Sequence, residues 1–99
     1  MHAVVVRVKI SDFEKAREGL RERVVPRATQ ANGFVAGYWT RSADGQDGLA
    51  MVVFDSESAA EAATEMIRAG AEQGDGVTLE GIEVREVVEH VSAEPPQIH

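Results

Sequence analysis

The chain has 99 residues, 43% of them hydrophobic, no Cys, and a net charge of −7 from ten basic and seventeen acidic side chains. That bounds it to one domain with a thin core; it excludes disulfides, thiolate metal ligands and a Cys nucleophile, and it argues against nucleic acid or an anionic membrane as partner. No run approaches the ~20 apolar residues of a membrane span, and no basic segment precedes the apolar start, so a cytoplasmic protein without a secretory signal is expected.

The opening segment His2–Ile10 predicts a strand. His2, Val4, Val6, Val8 and Ile10 share one dry face; Ala3, Val5, Arg7 and Lys9 share a mixed one. Ser11-Asp12-Phe13-Glu14 matches a capping box with Ser11 as the cap. Phe13, Ala16, Leu20 and Val24 then recur at helical spacing. Pro26 is expected to end or kink this helix near residues 23–25, with a last turn through Ala31 before Asn32 and Gly33 stop it.

Residues 33–41 predict a second strand holding Phe34, Tyr38 and Trp39, three of the five aromatic residues. A polar turn over 42–47 carries the pair Asp44-Gly45, which tolerates positive φ and favours a hairpin. The third strand, 48–54, is apolar on both faces, Leu49/Met51/Val53 and Ala50/Val52/Phe54, so both faces need cover. Asp55 or Ser56 is expected to cap a second helix over 57–69, with Ala59, Ala63, Met66, Ile67 and Gly70 on one side. A glycine-containing loop over 70–76 leads to a last strand over 77–91. Its apolar phase moves from Val77 and Leu79 to Ile82 and Val84, which predicts a bulge or bend at Gly81. The domain is expected to span 1–91, with 92–99 a Pro-containing tail.

The order β-α-β-β-α-β predicts an α+β, ferredoxin-like protomer: a four-stranded antiparallel sheet in order 4-1-3-2 with two helices on one face. The other face would carry Val5, part of the third strand, Val87 and Val91. Two helices leave that face bare, so a second copy is expected to cover it, sheet against sheet about a two-fold axis.

The Val-rich first strand, the helix ending in Val24-Val25-Pro26-Arg27, the segments Gly33-Phe34 and Gly37-Tyr38-Trp39, and Val52-Val53-Phe54-Asp55 before an Ala-rich helix resemble the dimeric α/β-barrel superfamily, in particular its antibiotic-biosynthesis-monooxygenase-like proteins. The resemblance implies a homodimer with facing sheets and one pocket per subunit between sheet and helices. Relatives include cofactor-free quinone-forming monooxygenases, haem-degrading enzymes and small isomerases. Haem degradation there goes with an Asn in the first strand and a Trp and a His near the second helix. Here the first strand has Val6 and Arg7, and residues 56–76 hold no Trp, His or Asn, so haem degradation is not expected. The pathway monooxygenases tend to use pocket Asn and Trp groups, for which this chain has only Asn32 and Trp39.

A cofactor-free oxygenase must hold a planar phenol in an apolar slot, favour its anion and exclude water. The substrate-binding candidates are Val6, Tyr38, Trp39, Phe54, Met66 and His90; no catalytic residue is assigned and no metal or other cofactor is expected. Arg7, Arg41, His2 or His90 can favour an anion. Tyr38 and Trp39 are adjacent on a strand, so only one can line a pocket and the other belongs to the dimer face or an edge. Core or interface packing is the plainer reading for each aromatic. His2 and His90 lie at neighbouring strand ends with Glu86 or Glu89 near; such a set can bind a metal, although solvated strand ends are commoner. No phosphate-binding loop, nucleophile elbow or RNA-binding strand motif is present. Two main readings follow: a cofactor-independent monooxygenase-like dimer acting on a small aromatic or polyketide-like substrate, or a non-catalytic small-ligand-binding or regulatory dimer. An interaction protein whose dimer face is its main feature is the third.

Overall fold

The computed structural model describes residues 1–71, 76–91 and 93. The chain runs β1 (His2–Ile10), α1 (Phe13–Gly19), a π-helical turn (Leu20–Val24), α2 (Val25–Gln30), β2 (Phe34–Arg41), β3 (Asp47–Phe54), α3 (Glu57–Ala71) and β4 (Val77–Glu86). The strands form one antiparallel sheet in the order β2-β3-β1-β4, the ferredoxin-like arrangement expected, with β3 in the interior.

Strand alternation sets the two faces. Val4 pairs with Val52 and Val84, and Val6 with Ala50 and Ile82, all on the helix side. Val4, Val6, Val52 and Phe54 are buried there against Ala60 and Ala63 of α3. Complete burial of Val4 and Phe54 contributes roughly 2 kcal/mol each. Phe34 meets Phe54 edge to face, with ring centroids 6.3 Å apart.

The two helical layers sit differently on the sheet. The low profile of Ala59, Ala60 and Ala63 lets α3 pack closely on β1, β3 and β4, while the first helical segment touches the sheet mainly where α2 meets β2. A gap therefore remains beneath α1 and the π turn.

One local expectation is corrected and others are made specific. The first helix is capped by Asp12, whose Oδ1 accepts the Lys15 N–H at 3.1 Å, and not by Ser11. Pro26 does not end the helix. The turn before it widens so that the Val25 N–H reaches back to the Leu20 carbonyl, and the helix continues to Gln30. A π turn suits this position because Pro26 has no N–H to give to the carbonyl four residues back. In the second helix Ser56 Oγ accepts from the Ala59 N–H at 3.2 Å, and the helix runs to Ala71. In the hairpin only Gly45 takes positive φ, at 75°, while Asp44 accepts from the Ser42 hydroxyl and the Gln46 N–H. Those two bonds, the first foremost, hold the Asp44 carboxyl below its ordinary range.

The bulge falls where the phase change located it: the β1–β4 register shifts between Arg7 and Val8, opposite Gly81. A Cβ at Gly81 would lie 2.6 Å from the guanidinium of the exposed Arg7, so a side chain there would displace the end of that arginine. The last strand stops at Glu86, short of residue 91. Val87 still donates to the Met1 carbonyl at 2.9 Å, but Val88 and Val91 project into solvent, so Val91 is not part of the sheet face. Most of the expected 70–76 loop and nearly all of the tail lie outside the described residues.

Candidate functional site

The gap beneath the first helical segment is a cavity of about 500 Å³. Its sheet side is built from Val6, Val8, Trp39, Ala50, Val52 and Phe54. Its roof is the apolar stripe Phe13, Ala16, Leu20 and Val24, continued by Ala28 of α2 and Ala31 just beyond it. Ala63, Met66, Ile67 and Gly70 of α3 close one side. The helical periodicity that marks a stripe as core thus marks, here, a stripe that faces empty space. Volumes between ~300 and ~1,000 Å³ are those of small-molecule sites.

Glycines shape the floor. The Trp39 indole lies across Gly37, where a Cβ would come within 2.6 Å of the ring. Gly48 likewise admits the Val8 side chain, whose γ carbon would be 2.7 Å from a Cβ. No acceptor for the Trp39 indole N–H is found among the described residues, so that donor remains open to a guest.

The polar lining is almost wholly cationic. Arg17, Arg23, Arg27 and Arg41 line the cavity, and no Asp, Glu or His among the described residues does. The Arg41 guanidinium lies over the Phe13 ring, 3.7 Å from its centroid, a cation–π contact joining the end of β2 to the start of α1.

The structure brings together four of the six substrate-binding candidates: Val6, Trp39, Phe54 and Met66 all line the cavity. Tyr38 points to the opposite face, where it pairs with Met51 and is 64% exposed. His90 lies beyond β4, exposed and away from the cavity. Of the groups expected to favour an anion, only Arg41 reaches the cavity. Arg7 sits on the opposite face over Gly81. His2 is at the sheet end, with Nε2 3.5 Å from Glu57 Oε2. The suggested pairing of His2 with His90 is corrected, because His2 registers with Glu86 and the strand ends there. Among the described residues, no three metal-ligating side chains come together.

Sequence reasoning missed Arg17, Arg23 and Arg27. The signal was available: Arg17 adjoins Ala16, and Arg23 and Arg27 follow Leu20 and Val24 by three positions, so each flanks the apolar stripe.

On the opposite sheet face Tyr38, Leu49 and Met51 are exposed, with Val5 and Val53 partly so. No helix among the described residues is long and apolar enough to cross a membrane.

Comparison with solved structures places this geometry among known folds. A proposed antibiotic biosynthesis monooxygenase of Deinococcus radiodurans is 17% identical, with a TM-score of 0.66 over 96% of this chain and all of that one. A dimeric ferredoxin-like protein from an uncultured marine organism is 11% identical, with a TM-score of 0.62 over 94% of this chain and 100% of that one. The ActVA-Orf6 monooxygenase of Streptomyces coelicolor, solved with nanaomycin D, is 14% identical, with a TM-score of 0.57 over 95% and 92% of the two chains. At these identities the likeness establishes the fold, in agreement with the resemblance read from the sequence. No protein-family model matches the chain. No curated protein matches it either.

Proposed function

We propose that the chain is a homodimeric, cofactor-independent monooxygenase-like protein that takes a small aromatic or polyketide-like substrate into the cavity beneath its first helical segment. The observation that carries this reading is the apolar space of about 500 Å³ walled by Trp39 and Phe54. A flat polycyclic body fits such a slot, and the nanaomycin D complex of the Streptomyces coelicolor neighbour supports that chemical class.

The reaction balances without a reductant. An anthrone-type methylene loses both hydrogens and gains one oxygen atom of O2; the second oxygen leaves as water. The substrate supplies all four electrons, and its phenolate form transfers the first of them to O2. The arginines favour that phenolate, and the apolar walls exclude water from the reacting carbon. No carboxylate or imidazole among the described residues lines the cavity, so the phenol's proton passes to water at the opening.

On this reading the domain spans 1–91, residues 92–99 are a tail, and the protein acts in the cytoplasm. Two copies meet through the exposed face of Tyr38, Leu49 and Met51. The test is oxygen uptake with 1,8-dihydroxyanthrone. One O2 consumed per carbonyl formed, faster than spontaneous oxidation, is expected; a rate equal to the spontaneous one removes the oxygenase assignment. The lack of a side-chain base among the described residues of the cavity favours the second reading, a non-catalytic binder of the same ligands, in that event.

A further inference from the structure

The charge of the cavity opposes the charge of the chain. The protein carries seventeen acidic side chains and a net charge of −7, yet no acid among the described residues lines the cavity, while four of its eight arginines do. Three come from successive pieces of one helical segment and the fourth, Arg41, approaches from the end of β2. Lys9–Asp47 and Glu83–Arg85 form ion pairs away from the cavity. Arg17, Arg27 and Arg41 have no carboxylate partner among the described residues. Stacking on Phe13 orients the Arg41 guanidinium and leaves its N–H edge free to bind.

We infer that the natural ligand is an amphipathic anion, a carboxylate borne on a flat apolar body. This rests on the cavity being the ligand site, as proposed above, and specifies the polar end of the molecule it holds. The body lies against Trp39 and the carboxylate meets the arginine-bearing side. A carboxylate matches the forked donors of a guanidinium in two parallel hydrogen bonds. It is also ionised at neutral pH, whereas a simple phenol with its pKa of about 10 is not. A local cationic lining on an otherwise acidic protein selects such a ligand and draws it to the opening against the repulsion of the rest of the surface.

Trp39 is the only Trp in the chain and stands in the cavity wall, so its fluorescence reports binding there. The wild-type protein is titrated with 9-anthracenecarboxylate and with the neutral 9-anthracenecarboxamide. The carboxylate is expected to bind about tenfold more tightly at low salt, and the preference to shrink several-fold at about 0.5 M NaCl. Arg17→Gln and Arg27→Gln, at exposed positions, are expected to weaken the carboxylate and leave the carboxamide unchanged. Arg17→Lys and Arg27→Lys, which keep the charge, should restore part of the loss, and circular dichroism establishes that each variant is folded. Equal affinities for the two probes in the wild type overturn the anion inference and leave the cavity reading standing. A preference that survives both Gln substitutions overturns it too. If neither probe quenches Trp39, the cavity reading falls and this inference with it.

Discussion

At the scale of single residues, the site depends on where side chains are missing. Trp39 lies flat because Gly37, two positions earlier on the same strand face, has no Cβ to hold it off. Gly37→Ala is expected to push the indole into the cavity, shift the emission maximum of the sole Trp and weaken 9-anthracenecarboxylate binding by about tenfold, the strain being of order 1–3 kcal/mol. Unchanged emission and affinity would show that the indole does not rest on Gly37. That pairing was legible only in part. Alternation along 33–41 shows that Tyr38 and Trp39 diverge and that Gly37 shares the face of Trp39, but it does not say which face meets the helices. The register settles that, by setting Trp39 beside Ala50 and Tyr38 beside Met51.

At the scale of elements, the two helical layers have unlike jobs. α3 is a close-packed lid whose Ala60 is fully buried, and the first helical segment is a raised one, interrupted by a π turn ahead of Pro26. Ala60→Leu is therefore expected to cost about 1–3 kcal/mol in chemical denaturation, since nothing nearby can give way. Ala63→Leu should cost less, because Ala63 borders open space, while reducing the volume left for a ligand. Equal losses at both positions would contradict the difference in packing. Both stripes were readable as apolar faces at helical spacing. The π turn was not, because Pro26 announces only that an ordinary hydrogen bond must fail and leaves open whether the helix stops or widens.

The whole molecule has one unfinished side. Tyr38, Leu49 and Met51 lie together on the sheet face that no helix covers, and Leu49 and Met51 remain 46% and 43% exposed. Met51→Glu, which puts a charge at the middle of this face, is expected to convert a dimer into a folded monomer, read as a halving of mass by light scattering with an unchanged circular dichroism spectrum. A wild-type protein that already scatters as one chain would overturn the homodimer proposal. The need for cover was visible in the two apolar faces of 48–54. The residues supplying that face were only partly visible, since β4 ends at Glu86 and takes Val91 off it.

The sequence by itself determined the order of strands and helices, the dry side of the first strand and a break in phase at Gly81. These follow from spacing within a few residues and from the steric demands of Gly along the backbone. The tertiary structure decided that the first helical segment stands away from the sheet, that Arg17, Arg27 and Arg41 converge on the space beneath it, and that His2 and His90 stay apart. Those outcomes depend on the distance between layers and on where a strand stops pairing. Both are set by side chains far apart in the chain, so no local pattern records them.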